Sequence, residues 1–170
     1  MAEQDRQTLG FGGGCHWCTE AVFQQLRGVD AVRQGFIRSE APDDTWSEAV
    51  EVDFHPARST VEDLLAIHLA THASTSDHKM RGKYRSAVYV TDTARLDAIA
   101  AIIDRLGAEV GTRFVTRVLP HRGFKATDPQ FRDYYRTDPG RPFCRTYIDP
   151  KLAKLRRRFA PLLHQEDGPP

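Results

Sequence analysis

Cysteine is scarce in this sequence of 170 residues, which contains only Cys15, Cys18 and Cys144. So few and so unevenly spaced cysteines exclude the disulfide framework of a small secreted domain. Long apolar runs are lacking as well, so we expect no membrane-spanning helix. The N-terminal stretch MAEQDRQT has no apolar core, which argues against a secretory signal. The sequence therefore predicts a cytoplasmic protein, in which grouped cysteines more often bind metal or catalyse a reaction than form structural disulfides.

An excess of charge of either sign is also missing. The sequence has 24 Lys and Arg against 23 Asp and Glu, and its arginines are scattered, so we expect neither a nucleic acid nor a membrane as partner. A hydrophobic content of 40% and a charged content of 28% are typical of soluble globular proteins. The length suits one domain, and we predict a single monomeric domain over residues 1–170 with flexible ends at about 1–7 and 164–170.

Strand and helix patterns interleave along the chain. Strands are predicted at TLGFGGG, TWSEAVEVDFHP, KYRSAVYVT and TRFVTRVLP, and helices at HWCTEAVFQQLRG, STVEDLLAIHLATHA, DTARLDAIAAIIDRLG and DPKLAKLRRRFAPLL. The second helix opens with Ser59 and Glu62 at capping-box spacing, and the third ends at Gly107. A further short helix starts at Asp128. Because the connections between strands are uneven, the pattern predicts an α+β fold, a two-layer sandwich of a mixed β-sheet with packed helices.

The stretch GGGCHWCTE places Cys15 where a strand passes through a glycine turn into a helix. A helix N-terminus stabilises a thiolate, and glycines let backbone amides approach a substrate closely, so this position predicts a nucleophilic thiol. Two alternatives compete with it: a thioredoxin-like redox pair of Cys15 with Cys18, and half of a zinc site. A zinc site needs two more ligands, and although Cys144 and His16 are available, no second pair has the matching spacing.

Glu48 falls on the apolar face of its predicted strand. That face is otherwise formed by Trp46, Val50, Val52 and Phe54. Burial disfavours the charged carboxylate, so such a group can stay protonated and donate a proton in catalysis. The alternative is a glutamate near the strand end that reaches solvent or pairs with an arginine.

Four blocks of the sequence, in order, resemble the peptide methionine sulfoxide reductase A family. GGGCHWCTEAVFQQLRGV resembles the family signature G-G-C-F-W-C/G-x-E-x-x-F-x-x-L-x-G-V, SEAVEVDFHP resembles A-E-A-V-x-V-x-Y-D-P, and GKYRSAVYV resembles G-T-Q-Y-R-S-A-I-Y. FRDYYRTDPGRPFCRTYIDPKLAKLRRRF resembles the family's C-terminal motif. The resemblance covers nearly the whole chain. It implies the ferredoxin-like core of that family and the thiol-dependent reduction of methionine S-sulfoxide, free or in a peptide.

The resemblance also implies a role for each matching residue. Cys15 matches the nucleophile that attacks the sulfoxide sulfur, Glu48 the acid that protonates the departing oxygen, and Tyr84 the tyrosine that helps to bind that oxygen. Trp17 matches the indole wall of the pocket for the methyl group, and Tyr134 the tyrosine of the C-terminal motif that lines it.

The same resemblance implies how the thiol is regenerated. Cys15 becomes a sulfenic acid, and a resolving thiol condenses with it to a disulfide. Cys144 matches a C-terminal resolving cysteine, and Cys18 competes with it. A thioredoxin-type reductant, or another dithiol, then reopens the disulfide by exchange. No metal and no organic cofactor are expected.

Three departures from the family pattern concern the residues around the thiol. His16 stands where the family has phenylalanine, Phe36 where it has a tyrosine whose hydroxyl supports the sulfoxide oxygen, and Lys79 where it has aspartate. His16 and Phe36 are therefore expected to contact the substrate, and to make the enzyme slower or to shift its preference among sulfoxides. Two other readings stay open: a thioredoxin-like disulfide oxidoreductase that uses Cys15 and Cys18, and a catalytically weakened domain that binds sulfoxide as a sensor.

Overall fold

The computed structural model describes residues 6–76 and 82–164. Its strands, which form one sheet, are β1 (Gln7–Gly12), β2 (Val29–Arg38), β3 (Ser47–Phe54), β4 (Ala87–Val90), β5 (Arg117–Pro120) and β6 (Gly123–Ala126). They lie in the order β5-β4-β1-β3-β2-β6. β4 and β5 pair in parallel, whereas β1 with β3 and β4, and β2 with β3 and β6, pair antiparallel. The sheet is therefore mixed, as predicted.

The helices are α1 (His16–Gln24), α2 (Val61–Ala70), α3 (Leu96–Val110), α4 (Tyr134–Thr137) and α5 (Asp149–Arg158), and a π-helical turn at Cys144–Ile148 leads into α5. The main core joins these helices to the sheet. In β4, Val88 and Val90 belong to this core, whereas Ala87 and Tyr89 belong to a smaller cluster with Ile37. Successive side chains of a strand point to opposite faces, so the two clusters lie on opposite sides of the sheet.

Two strands were not predicted from the sequence. β2 carries no clean alternation of apolar and polar residues, yet it pairs with β3 from Val29 to Ile37. Its buried positions include the polar Gln34, whose side chain donates to Glu20 in α1. β6 has four residues, too few for periodicity to indicate a strand. Pairing with neighbouring strands, which no local pattern encodes, therefore defines this edge of the sheet.

Several predicted boundaries are wrong by a few residues. The capping box of α2 is formed by Thr60 and Asp63, one residue beyond the predicted pair. α3 runs past Gly107 and ends at Gly111, which adopts a left-handed conformation with φ of 72°. A Cβ atom at Gly107 would lie 2.6 Å from the carbonyl oxygen of Thr112. Glycine at position 107 therefore allows this close approach of the chain, and it does not end the helix.

At both ends the described part of the chain is tied to the fold. Gln7 pairs with Phe54 in the sheet, and the amide of His164 donates to the carbonyl of Gln25 at 2.9 Å. Residues 1–5 and 165–170 of the predicted flexible ends lie outside the described ranges. Within those ranges no helix is both long enough and apolar enough to cross a membrane. A single domain over residues 1–170 stays a prediction.

Candidate active site

Cys15 caps the N-terminus of α1, directly after the glycine turn that follows β1. Its carbonyl accepts from the amides of Cys18 and Thr19 at 3.1 and 3.3 Å, which starts the helix. The turn needs glycine because the chain passes close to other elements. A Cβ atom at Gly12 would lie 3.0 Å from the carbonyl of Glu48, and one at Gly13 would lie 2.4 Å from the ring of His72. The thiol of Cys15 therefore lies between a strand and a helix start, as predicted.

A hydrogen bond joins the thiols of Cys15 and Cys18, and each thiol affects the pKa of the other. That bond, together with burial, raises the pKa of Cys15, although the amide of Trp17 acts in the opposite direction. The same bond, aided by the charge of Lys151, lowers the pKa of Cys18. The amide of Trp17 at the helix start therefore lowers the pKa of Cys15 as expected, but the bond to Cys18 and burial outweigh this effect.

Glu48 is buried in β3, with 7% of its surface exposed. Its Oε1 accepts from the amide of His16 at 3.2 Å, and its Oε2 lies 3.8 Å from Nζ of Lys83. The amide belongs to the residue that follows Cys15, and the charge of Glu48 acts on the Cys15 thiol. The structure thus brings the predicted acid and the predicted nucleophile together, although they are 33 residues apart in the sequence.

The imidazole of His16 is turned toward the acid. Its Nδ1 lies 2.7 Å from the carbonyl oxygen of Gly35, and its Nε2 lies 3.5 Å from Oε1 of Glu48. A carbonyl oxygen can only accept, so Nδ1 carries the proton and Nε2 of the neutral ring offers a lone pair. Burial lowers the pKa of His16, which favours this neutral form.

Trp17 and Tyr134 form a stacked pair beside the thiols. Their ring centroids lie 4.0 Å apart with the planes within 1° of parallel, and Phe143 meets Trp17 edge-on at 5.3 Å. The guanidinium of Arg141 lies 4.1 Å from the centroid of Tyr134. These contacts hold the indole at a set angle, as a pocket wall requires.

Glu20 belongs to this part of the molecule and was missed from the sequence. It is 1% exposed, and its carboxylate accepts from the amides of Asp133 and Tyr134 at 2.9 and 3.1 Å and from the side chain of Gln34 at 3.0 Å. Burial raises its pKa. Glu20 therefore joins α1 to the segment that carries Tyr134. A signal was present, because Glu20 lies four residues after His16, on the same side of the helix.

Phe36 and Lys83, the residue before Tyr84, both lie beside Glu48. Phe36 is the cross-strand partner of Glu48, and its ring meets His16 edge-on at 5.2 Å. A side-chain hydrogen bond joins Lys83 to Tyr84 and, together with the charge of Glu48, raises the pKa of Lys83. Lys83 is a second residue that the sequence reasoning missed. Lys79, the third departure from the family pattern, lies outside the described residues.

Cys144 lies in the main core with Cys18, fully buried, and its Sγ faces the carbonyl of Asp138 at 3.6 Å. Burial raises the pKa of its thiol. The two predicted resolving cysteines are thus placed differently, since Cys18 is in direct contact with Cys15, whereas Cys144 is enclosed. In the described parts of the chain, no three His, Cys, Asp or Glu side chains converge on a common point.

Comparison with known proteins identifies relatives of this chain. The family model described as peptide methionine sulfoxide reductase matches residues 7–162. Peptide methionine sulfoxide reductase MsrA of Deinococcus radiodurans is 35% identical over 165 residues, which cover 88% of this chain and 80% of that protein.

Two solved structures have the same fold. Methionine sulfoxide reductase A of Corynebacterium diphtheriae matches with a TM-score of 0.69 at 20% identity, covering 79% of this chain and 76% of that one. Mxr1 from Saccharomyces cerevisiae, solved in complex with Trx2, matches with a TM-score of 0.58 at 18% identity, covering 75% and 84%. The predicted α+β fold is confirmed.

Proposed function

This chain belongs to the peptide methionine sulfoxide reductase family, and we propose that it reduces methionine S-sulfoxide, free or in a peptide, with Cys15 as the attacking thiol. One observation carries the assignment to these residues: a thiol at a helix start lies beside a buried carboxyl group, and the amide after the thiol binds that carboxyl at 3.2 Å. A nucleophile and a proton donor at one point are what oxygen transfer from a sulfoxide requires.

In the first step, the sulfur of Cys15 attacks the sulfoxide sulfur while Glu48 protonates the sulfoxide oxygen. The proton of the Cys15 thiol passes along the hydrogen bond to the sulfur of Cys18. The oxygen moves to Cys15, which becomes a sulfenic acid, and methionine leaves. The two electrons that reduce the sulfoxide come from the Cys15 sulfur, so the step needs no other reductant.

In the second step, we propose that Cys18 is the first thiol to resolve the sulfenic acid. Its sulfur attacks the sulfur of Cys15, a disulfide forms and water leaves. Cys18 suits this step because it already contacts Cys15, whereas Cys144 faces Asp138 in the core. Thiol exchange with Cys144 then moves the disulfide to Cys18 and Cys144, and releases Cys15 for another cycle.

A dithiol of the thioredoxin type is proposed as the final reductant. The relative Mxr1 forms a complex with Trx2, which supports a partner of this class. Because Cys144 is fully buried, the segment that carries it must shift before an external thiolate can reach the disulfide. We further propose that the enzyme works as a monomer.

The substrate's methyl group is proposed to lie against Trp17 and Phe36, with Tyr84 near the sulfoxide oxygen. Phe36 has no hydroxyl, so one donor to that oxygen is missing relative to the family pattern. Removal of one such donor typically costs about 2.7–4 kcal/mol in the transition state. We therefore propose a slow enzyme, or one whose preference among sulfoxides is shifted.

A single-turnover experiment tests this function. Reduced protein is mixed with one equivalent of the S-epimer of a methionine sulfoxide peptide without external reductant, and the methionine formed and the free thiols are counted. We expect about one methionine per protein and the loss of two thiols, with neither in Cys15→Ser. Methionine formation by Cys15→Ser at the wild-type rate would reject Cys15 as nucleophile, whereas binding without any methionine would favour a sensor.

The hydrogen-bonded thiols of Cys15 and Cys18 also favour a second candidate, general disulfide exchange. A redox pair spaced two residues apart with one lowered pKa is typical of disulfide oxidoreductases. Reduction of insulin disulfides by the reduced protein, at a rate above its sulfoxide turnover, would establish this activity.

A further inference from the structure

We infer that His16 is a positioning residue for Glu48, and that its ring and its amide together hold Oε1 of the carboxyl group in one orientation beside Cys15. This inference rests on the proposed function, because it takes Glu48 to be the proton donor. Relatives carry phenylalanine at this position according to the family signature, so the device belongs to this chain's own sequence.

Three contacts hold His16 and Glu48 in one arrangement. The bond from Nδ1 to the carbonyl of Gly35, at 2.7 Å, sets both the orientation of the ring and its tautomer. Nε2 then faces Oε1 of Glu48 at 3.5 Å, while the amide of His16 donates to the same oxygen at 3.2 Å. His16 and Glu48 are both buried, with 6% and 7% of their surface exposed, respectively, so water does not compete for these contacts.

The two carboxyl oxygens of Glu48 have different surroundings. The ammonium group of Lys83 lies 3.8 Å from Oε2. Oε1 instead has Nε2 of His16 within reach, and it is bound by the amide directly after Cys15. Oε1 is therefore held by both the ring and the amide of the residue that follows the nucleophile. A phenylalanine ring provides no acceptor and leaves the carboxyl free to turn.

Acid disrupts this arrangement in a defined way. Among the described residues, Glu48 in β3 and Lys83 before β4 are the charged groups that act on His16, with opposite effects on its pKa. Once His16 is protonated, Nε2 becomes a donor instead of an acceptor, and its contact with Oε1 of Glu48 changes. Because burial lowers the pKa of His16, this change occurs at a pH below the usual value of about 6.5.

A double-mutant cycle on the single-turnover rate tests whether His16 acts through Glu48. We expect Glu48→Gln to slow methionine formation about 100-fold and His16→Phe to slow it about 10-fold, as loss of a supporting hydrogen-bond partner does. In the Glu48→Gln background, His16→Phe should change the rate by less than about 2-fold. His16→Gln, which restores a polar side chain, should recover part of the loss.

If His16→Phe slowed methionine formation by the same factor in the wild type and in Glu48→Gln, His16 would act on the substrate directly. That result would overturn this inference and leave the proposed function intact. A wild-type rate in Glu48→Gln would overturn the acid assignment on which it rests. A wild-type protein that forms no methionine would overturn the proposed function itself. His55→Phe is the matched control, because His55 pairs with Asp30 outside the site, and we expect it to keep the wild-type rate and pH profile.

A second measurement needs no variant at position 16. The ring resonances of His16 are followed by NMR between about pH 4 and pH 8, a range centred near the usual histidine pKa. The charge of Glu48 raises the pKa of His16, so the midpoint should fall in Glu48→Gln. An unchanged midpoint would overturn the inference. The acid limb of the wild-type rate profile should follow the same midpoint and be absent in His16→Phe.

Discussion

At the scale of single residues, the role proposed for Cys18 depends on which groups lie next to its thiol. From the sequence alone, Cys18 and Cys144 are equally good candidates for the resolving thiol. In the structure the thiol of Cys18 is bonded to Cys15, and Lys151 contributes to lowering its pKa. Contact and charge both support the proposal that Cys18 is the first thiol to meet an oxidised Cys15, because resolution requires two sulfur atoms to approach each other.

Substitution of the two candidate resolving cysteines should have distinct effects. In Cys18→Ser, one turnover should still form methionine, but one thiol should be lost instead of two, because the sulfenic acid persists; a sulfenic-acid-specific dione should label it. In Cys144→Ser, two thiols should still be lost, while turnover with a dithiol reductant slows. The reverse assignment of these effects would make Cys144 the first resolving residue.

Phe36→Tyr should restore the missing hydroxyl beside Glu48. Phe36 is half-buried and directly opposite Glu48 in the sheet, so a tyrosine hydroxyl there can reach the sulfoxide oxygen. We expect kcat/KM for the S-epimer to rise by up to about tenfold, which is less than the typical loss on removing an evolved donor. The R-epimer serves as control. An equal rise for both epimers, or none, would contradict this role.

At the scale of elements, the site depends on how α1 is joined to its neighbours. α1 carries Cys15 at its start, while Glu20 on its buried side holds the segment of Tyr134 through two backbone amides. One short helix thus sets both the nucleophile and the indole wall. The left-handed backbone of Asp133, with φ of 51°, lets the two amides point at one carboxylate.

Glu20→Ala should therefore loosen the wall and destabilise the fold. The change leaves the amides of Asp133 and Tyr134 without their acceptor, and we expect the free energy of unfolding in urea to fall by about 2–3 kcal/mol. Tryptophan fluorescence should also change as Trp17 loses its stacked partner. Glu109→Ala, at an exposed ion pair with Arg105, should change stability by less than about 0.5 kcal/mol. Equal effects of the two variants would contradict this role of Glu20.

At the scale of the whole molecule, ion pairs on the sheet surface tie three strands together. Arg33 of β2 binds Asp53 and Glu51 of β3, and His121, just after β5, binds Glu51 at 2.8 Å. The bond from Arg33 lowers the pKa of Asp53, and the bond from His121, followed by that from Arg33, lowers the pKa of Glu51. Lowered carboxyl pKa values contribute stability above the unfolded values of about 3.9 and 4.3, which is lost as pH falls through the folded values.

This sets an expectation for acid unfolding. The urea midpoint of the wild type should drop as the pH falls from about 5 through the unfolded values and then through the lower folded values. Arg33→Ala should be less stable than the wild type near pH 5, and the difference should shrink as the pH falls, because the ion pairs are lost once these carboxylates take up protons. A constant difference across this range would exclude the ion pairs as its cause.

Local patterns in the sequence determined the α+β class, the position of Cys15 at a helix start and the unusual face of Glu48. Apolar periodicity, glycine turns and caps act within a few residues, so they are readable from the sequence alone. The shift of the α2 cap by one residue marks the limit of such signals, since Ser59 and Thr60 can both cap a helix.

Only the tertiary structure decided which partners these residues have. β2 is defined by its pairing with β3, the thiol of Cys18 is bonded to that of Cys15, and the ring of His16 lies beside Glu48. Each of these outcomes depends on hydrogen bonds or burial whose strength is set by packing, and most of them join residues distant in the sequence. For that reason the sequence predicts the reacting groups, while the fold sets which groups they contact.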